Sequence, residues 1–133
     1  MIRSLIVDTG PLYAAVDPDD SYYERARQEL KKLTRERYSV IVCYPTLLET
    51  YSLLLHRLGT RTATLWLEEI ISGTTLVNPS PEDYLHAISK VATLPDQKVT
   101  LFDAVVAVLA GRLKAEVWTY DHHFDVMRCS IWR

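Results

Sequence analysis

Short, unbroken apolar runs alternate with longer segments of helical periodicity along the chain. The runs occupy residues 2–7, 39–44, 74–77 and 115–120. Runs of this length, rich in Val, Ile and Leu and bounded by turn residues, indicate strands that are buried on both faces. Alternation of such strands with helices is typical of a parallel sheet flanked by helices on both faces. The pattern therefore predicts one α/β domain, residues 1–133, with a central parallel sheet of four to five strands.

The segments between these runs carry helix start and stop signals. Pro11, Pro45 and Pro81 stand where first helical turns are expected, and Gly59 and Gly73 stand where helices end. The predicted helices cover 11–16, 21–37, 45–58, 60–72, 81–94 and 100–114, with one further helical turn within 121–127.

One predicted helix carries a carboxylate among apolar residues. In "VTLFDAVVAVLAGRL", Asp103 begins a stripe of small residues that ends at Gly111, and larger apolar side chains occupy the rest of the circumference. A helix that is apolar all round is a buried helix, so Asp103 is expected near the strand ends in the middle of the fold. The alternative is a capping box, in which Asp103 bonds back to the amide of Thr100.

Three further acids are candidates for the same region. Asp8 directly follows the first predicted strand and Asp121 follows the fourth, and open parallel sheets place ligand sites at the carboxyl ends of their strands. A helix cap is the alternative role for each of them. Glu49 lies opposite the apolar stripe of its helix, where the spacing favours a solvated face. Leu53 is the one apolar residue on that face.

A cluster of carboxylates needs a cation. Carboxylates that are brought together repel and raise one another's pKa values unless a positive charge lies among them. Oxygen-only ligand sets suit hard ions such as Mg²⁺ or Mn²⁺, which activate water and stabilise an in-line phosphoryl displacement. A shared metal ion is therefore a physical reason for a buried Asp103.

Composition bounds the class of protein. The chain is 48% hydrophobic and 24% charged with a formal net charge of -2, which argues against an indiscriminately basic nucleic-acid binder but not against a local basic patch. Cys43 and Cys129 lack metal-ligand spacing and are typical of a reduced intracellular protein. The early apolar run is interrupted at Asp8, and no run approaches the ~20 apolar residues of a membrane span. A soluble, cytoplasmic protein without a membrane partner is expected.

Four segments resemble the PIN domains and, within them, the VapC-type toxins of prokaryotic toxin–antitoxin pairs. They are "LIVDTGPLYA", "PTLLETYSLL", "VTLFDAVVAVLA" and "VWTYDHHFD", which follow one another in the family order and span nearly the whole chain. The resemblance implies an endoribonuclease that depends on Mg²⁺ or Mn²⁺ and cleaves single-stranded RNA with a metal-activated water. The family's acidic cluster, which is catalytic and binds the metal, maps onto Asp8, Glu49, Asp103 and Asp121.

The resemblance also assigns weaker roles. Thr9 and Thr119 match the small polar residues that support the acids, and Asp125 is a candidate accessory ligand. Gly10 stands where the family often has Ser, and "DSYYERA" has tyrosines where many relatives carry His, which bears on substrate preference.

RNA also requires positive charge near the acids. The candidates for RNA contact are Arg25, Lys31, Lys32, His122 and His123. Because adjacent residues on a turn are expected to point apart, only one of the two histidines is expected to reach the RNA.

The expected partners are the RNA substrate, a cognate antitoxin and a second copy of the chain. Four aromatic residues are candidates for these interfaces: Tyr22, Tyr23, Tyr51 and Trp66.

The alternative function is a PIN scaffold that binds RNA or a protein without cutting. A dehalogenase-type phosphatase fits less well, because it requires two aspartates separated by one residue where this chain has Asp8 followed by Thr9 and Gly10.

Overall fold

The computed structural model describes residues 3–133. These form four strands and seven helices, and each strand is followed by one or two helices. The strands are β1 (Arg3–Val7), β2 (Tyr38–Cys43), β3 (Thr75–Val77) and β4 (Glu116–Trp118). The helices are α1 (Thr9–Ala14), α2 (Tyr23–Arg35), α3 (Tyr44–Leu58), α4 (Thr60–Gly73), α5 (Pro81–Ala92), α6 (Leu101–Leu113) and α7 (His123–Val126). Each predicted strand and helix is confirmed with slightly different ends. Ile2, the first residue of the first predicted strand, lies outside the described residues.

The four strands form one parallel sheet in the order β3-β2-β1-β4. Leu5 of β1 is paired with Val40 of β2 on one side and with Glu116 of β4 on the other. The chain therefore builds the sheet outward from β1 in one direction and later returns to add β4 on the opposite side. This reversal opens a crevice at the carboxyl ends of β1 and β4, where ligand sites of parallel α/β sheets lie.

Both faces of the sheet are buried, as predicted. Leu5 and Val7 belong to a hydrophobic cluster on one face, which includes Trp66 of α4, whereas Ile6 belongs to a second cluster on the other face, which includes Phe124. Alternate residues of a strand point to opposite faces, so an unbroken apolar run is required where helices cover both. Trp66 is only 4% exposed, so the expectation that it contributes to an interface is wrong.

Helix α6 is buried over its middle, as its composition predicts, but Leu101 and Phe102 in its first turn are 52% and 44% exposed, so the prediction of a helix buried all round is wrong there. Its residues from Asp103 to Ala107 are all buried. Arg112 near its end donates two hydrogen bonds, of 2.9 and 2.8 Å, to the carboxylate of Asp83 on α5. Asp83 also closes a capping box with Ser80 at the start of α5. This fixes α5 against α6 and thereby holds the first turn of α6, with Asp103, at the strand ends.

Two expectations from composition bear on the fold. Cys43 and Cys129 are both free thiols, as predicted. Among the described residues, no helix has the length and apolarity needed to cross a membrane.

Candidate functional site

A cleft of about 510 Å³ lies at the carboxyl ends of β1 and β4. The four acids predicted from the sequence all line it: Asp8, Glu49, Asp103 and Asp121. Each comes from a different part of the chain, namely the end of β1, the second turn of α3, the first turn of α6 and the loop after β4. The fold thus brings together carboxylates that are up to 113 residues apart in the sequence.

Asp8 is buried at the bottom of the cleft. Its side chain is not used as a helix cap, although Asp8 stands at the N-cap position of α1, so the cap alternative is wrong for this residue. Its carboxylate instead accepts a hydrogen bond of 2.9 Å from the hydroxyl of Thr119. Burial raises the pKa of Asp8 to about 6, even though the hydrogen bonds from Thr119 and from the Thr9 amide lower it. Asp8 is therefore a carboxylate that lacks a compensating positive charge.

Asp103 also faces the cleft. Its backbone N–H donates to the hydroxyl of Thr100 at 3.1 Å, which caps α6. The return bond from the Asp103 carboxylate, which would complete a capping box, is found in α5 but not in α6 within the described chain. Burial, the charges of Asp8 and Asp121, and a hydrogen bond with Asp121 raise the pKa of Asp103 to about 7. The carboxylate therefore belongs to the acidic cluster, and the cap is provided by Thr100.

Asp121 combines both roles considered for it. Its carboxylate accepts a hydrogen bond of 2.9 Å from the backbone N–H of His123, which begins α7, and its own N–H donates to Thr119 at 3.0 Å. Burial acts to raise the pKa of Asp121, but the backbone and ring of His123 and the shared hydrogen bond with Asp103 lower it overall. Of the Asp103–Asp121 pair, Asp103 thus holds the proton.

Glu49 is half-buried and faces the cleft, not bulk solvent. Its carboxylate accepts a hydrogen bond of 2.5 Å from the hydroxyl of Thr9. Leu53 and Arg57 follow at intervals of four residues on α3 and line the same cleft. The solvated-face interpretation of Glu49 is therefore wrong, and apolar Leu53 is the sequence signal against it.

Arg57 is a cleft residue that the sequence analysis missed. Its guanidinium carbon lies 5.0 Å from the ring centroid of Tyr13, which also lines the cleft. The four-residue spacing from Glu49 through Leu53 is the signal that could have identified it.

Asp20, placed only in a loop, is a second missed lining residue, and its carboxylate accepts a bond of 2.8 Å from the amide of Tyr22.

The two adjacent histidines lie together beside Asp121, so the expected divergence of their side chains is wrong, but only His122 lines the cleft, and the expectation that one of the two reaches the RNA stays a prediction. Nδ1 of His123 and Nδ1 of His122 are 3.0 and 3.8 Å from the same carboxylate oxygen, and the two ring centroids are 4.3 Å apart. His122 has a helical backbone conformation, in which adjacent side chains point about 100° apart and not in opposite directions as in an extended chain. One ligand atom from each of Asp121, His122 and His123 lies within 4.8 Å of the others, and His122 lines the cleft.

The remaining candidates fall into two groups. Arg25 lies at the rim, with its guanidinium carbon 4.4 Å from the ring centroid of the cleft residue Tyr120. Asp125, Lys31 and Lys32 do not line the cleft. Asp125 is paired with the C-terminal arginine at 3.4 Å, and both lysines lie on α2.

The donor set fits a divalent cation. Throughout residues 3–133, no lysine or arginine forms an ion pair with Asp8, Glu49 or Asp103. Asp8 and Asp103 are buried carboxylates with raised pKa values and no cationic partner, which favours a bound metal ion, and the oxygen atoms of all three acids suit Mg²⁺ or Mn²⁺. The three residues together with Asp121 would hold such an ion.

One family model matches nearly the whole chain. The family model of the PIN domain matches residues 5–128. No curated protein matches the chain.

Among solved structures, VapC20 of Mycobacterium tuberculosis, a toxin that cleaves the sarcin–ricin loop, has a TM-score of 0.84 at 18% identity, covering 97% of this chain and 98% of that chain. VapBC2 of Rickettsia felis, bound to a fragment of its promoter DNA, has a TM-score of 0.76 at 14% identity, covering 98% and 97%. A toxin–antitoxin complex of Klebsiella pneumoniae has a TM-score of 0.62 at 16% identity, covering 89% and 87%.

Proposed function

This chain belongs to the PIN-domain family, and from that premise we propose that it is a Mg²⁺- or Mn²⁺-dependent endoribonuclease that cleaves single-stranded RNA. The observation that carries the proposal is the convergence of four carboxylates in one open cleft: Asp8, Glu49, Asp103 and Asp121. The residues matched by the family model contain all four of them. Further support comes from the likeness in fold to VapC20, which is a toxin that cleaves the sarcin–ricin loop.

The four carboxylates are held in place for this chemistry by their neighbours. Thr119 donates to Asp8 and Thr9 donates to Glu49, which fixes the orientation of both carboxylates. A divalent cation bound to the acids would supply a water of lowered pKa and would offset the charge that develops on the phosphate. Asp103 and Asp121 would hold such an ion as carboxylates, so the proton on Asp103 would be lost on binding, because metal ligands must be deprotonated.

The rim of the cleft supplies positive charge for the phosphate backbone. Arg57 lines the cleft on the α3 side, and Arg25 lies on the side of β4 beside His122, whose ring is a hydrogen-bond donor for a phosphate. Cations at the rim attract the RNA backbone, while the acids in the centre require a metal before a phosphate approaches them. Lys31 and Lys32 lie outside this arrangement and are not included in the proposed RNA contact.

The metal requirement is directly testable. We expect the purified protein to cleave a labelled single-stranded RNA in Mg²⁺ or Mn²⁺, to stop in EDTA, and to resume when the metal is restored in excess. Gel analysis of the products, with a fully paired RNA of the same sequence as control, measures this. Cleavage that continues in the chelator contradicts the metal mechanism. RNA that is bound but never cut, in any metal, supports the non-catalytic scaffold instead.

We propose further that the chain is the toxin of a VapBC-type pair and binds a cognate antitoxin. Support comes from the VapBC2 assembly of Rickettsia felis and the toxin–antitoxin complex of Klebsiella pneumoniae, which share this fold over most of the chain. Such a partner would control access to the cleft.

A homodimer is the second proposed assembly, and an apolar surface on α5 and α6 supports it. Leu85, Ile88 and Leu101 are 62%, 53% and 52% exposed, and an adjoining groove is lined almost entirely by apolar side chains. We expect light scattering to give a dimer for the wild type and a monomer for Ile88→Asp, because a charge in the core of an interface is costly. Ile71→Asp, which changes an isoleucine on α4 that is 65% exposed, should remain a dimer. A wild-type monomer at high micromolar concentration contradicts the proposal.

A further inference from the structure

Two tyrosines and an arginine form a stack at the rim of the cleft. The rings of Tyr22 and Tyr120 have centroids 4.7 Å apart at an angle of 32°. The guanidinium carbon of Arg25 lies 4.4 Å from the centroid of Tyr120 and 5.9 Å from that of Tyr22. Both tyrosines line the cleft that contains the four carboxylates. We call Tyr22, Tyr120 and Arg25 the tyrosine platform.

The platform is anchored by one glutamate beneath it. Glu29 accepts hydrogen bonds from the hydroxyl of Tyr120 at 2.5 Å and from the indole N–H of Trp118 at 3.0 Å, and it lies 3.5 Å from Arg25. Burial and the bond to Glu29 raise the pKa of Tyr120, so its hydroxyl remains a donor. The hydroxyl of Tyr120 is thus engaged in the anchor, and the ring is the part of this residue that the cleft can use.

The outer ring of the platform is open to solvent. Tyr22 is 44% exposed, and the side chain of Arg25 is 55% exposed. If the tyrosine platform only held α2 against the end of β4, its aromatic surface would be expected to be buried. A rigid, partly exposed aromatic surface beside a cationic guanidinium, next to a cluster of metal-ligating acids, is the chemistry that recognises an unpaired nucleobase.

We propose that the tyrosine platform binds one base of single-stranded RNA by stacking and so positions the adjoining phosphate at the carboxylates. The inference rests on the proposed function for the identity of the polymer. Stacking on a tyrosine is tolerant of sequence because every base has a π-face. The guanidinium of Arg25 contributes a cation–π contact to the stack and a positive charge that attracts the phosphate backbone. Bases in a duplex are already stacked on each other, so the platform discriminates against paired RNA.

The test measures RNA binding in Ca²⁺, a hard cation that oxygen ligands bind and that offsets the charge of the carboxylates, and a gel of each sample confirms that the RNA stays intact. Fluorescence anisotropy is recorded with a short single-stranded RNA and with copies in which one nucleotide at a time lacks its base. We expect Tyr22→Ala to weaken binding of the intact RNA on the order of 10- to 100-fold and Tyr22→Phe, which keeps the ring, to bind within a few-fold of wild type. At one position of the RNA, loss of the base should weaken RNA binding by wild type by a similar factor. The same loss should hardly change RNA binding by Tyr22→Ala.

This coupling separates stacking from a structural role. If Tyr22 only holds α2 in place, removal of a base will weaken Tyr22→Ala as much as wild type at every position, which overturns the inference. Wild-type protein that binds no RNA also overturns it. Cleavage in Mn²⁺ is measured separately, and a protein that binds with the expected coupling but never cuts refutes the proposed ribonuclease activity while the stacking site stands.

Discussion

Replacing Asp103 with asparagine is expected to reduce metal-dependent RNA cleavage by at least about 100-fold, because a bound metal contributes several kcal/mol of transition-state stabilisation. The substitution keeps the size of the side chain and removes the charge of a carboxylate that faces Asp8 and Asp121. Cleavage rates under single-turnover conditions in saturating Mn²⁺ measure the effect. Asp96→Asn, which changes an exposed acid outside the cleft, is the matched control and should cut like wild type.

Thermal melts of the same proteins show whether the loss reflects the metal site. Mg²⁺ or Mn²⁺ should raise the melting temperature of wild type and of Asp96→Asn by mass action, since the unfolded chain has no assembled site. Asp103→Asn should lose most of this response and, without metal, should melt no lower than wild type. The cap of α6 persists in the variant because the hydroxyl of Thr100 accepts from the backbone of residue 103. A variant that melts clearly lower without metal and still cuts RNA would mean that Asp103 acts only at the helix terminus.

The fold could be predicted from the sequence because the local residue pattern of each element favours the secondary structure that this element adopts. β1 and β2 are apolar runs, and both faces of the sheet are in fact covered. α5 begins with a proline after a Ser cap, and α6 begins after a Thr cap. The order of the strands, in contrast, depends on which strand pairs with which, and periodicity within an element carries no information on that.

The acidic cluster was predictable to different degrees. Asp8 and Asp121 follow strands, and the ends of parallel strands meet at one edge, so their positions alone indicate a shared site. Glu49 was identified through the family resemblance, because the one apolar residue on its helix face, Leu53, is a weak signal against the solvated face that the spacing favours. Its contact with Thr9 joins residues 40 positions apart.

Residues at the rim were harder to predict than those in the centre. The platform residue Tyr120 is anchored by a glutamate 91 positions away, a contact that no local pattern contains. The close contact between the two histidine rings was missed for a different reason: the expectation assumed diverging side chains, whereas the turn before α7 is already helical at His122. Lys31 and Lys32 illustrate the converse, since a local excess of positive charge on α2 does not indicate which side of the helix meets the RNA.

Without metal, wild-type protein is expected to lose stability relative to Asp103→Asn as the pH rises from 4 to 8. The pKa of Asp103 is about 7 in the folded protein, above its ordinary value of 3.8, because of burial and the charges of Asp8 and Asp121. The folded state therefore binds this proton more tightly than the unfolded chain does. The resulting stabilisation is fully present below about pH 4 and is lost as the pH rises through about 7.

Urea unfolding in EDTA at successive pH values measures this difference. The free energy of unfolding of Asp103→Asn minus that of wild type should rise with pH and level off above about pH 7, by about 2 kcal/mol once screening by water in the open cleft is allowed for. Asp8→Asn should show the same trend with a plateau near pH 6, since the pKa of Asp8 is raised to about 6. Saturating Mg²⁺ should remove the deficit of wild type at pH 8, because the cation stabilises the charged carboxylates that the proton no longer neutralises. A difference that does not change with pH would show that Asp103 titrates as an ordinary exposed carboxylate and does not belong to a cluster.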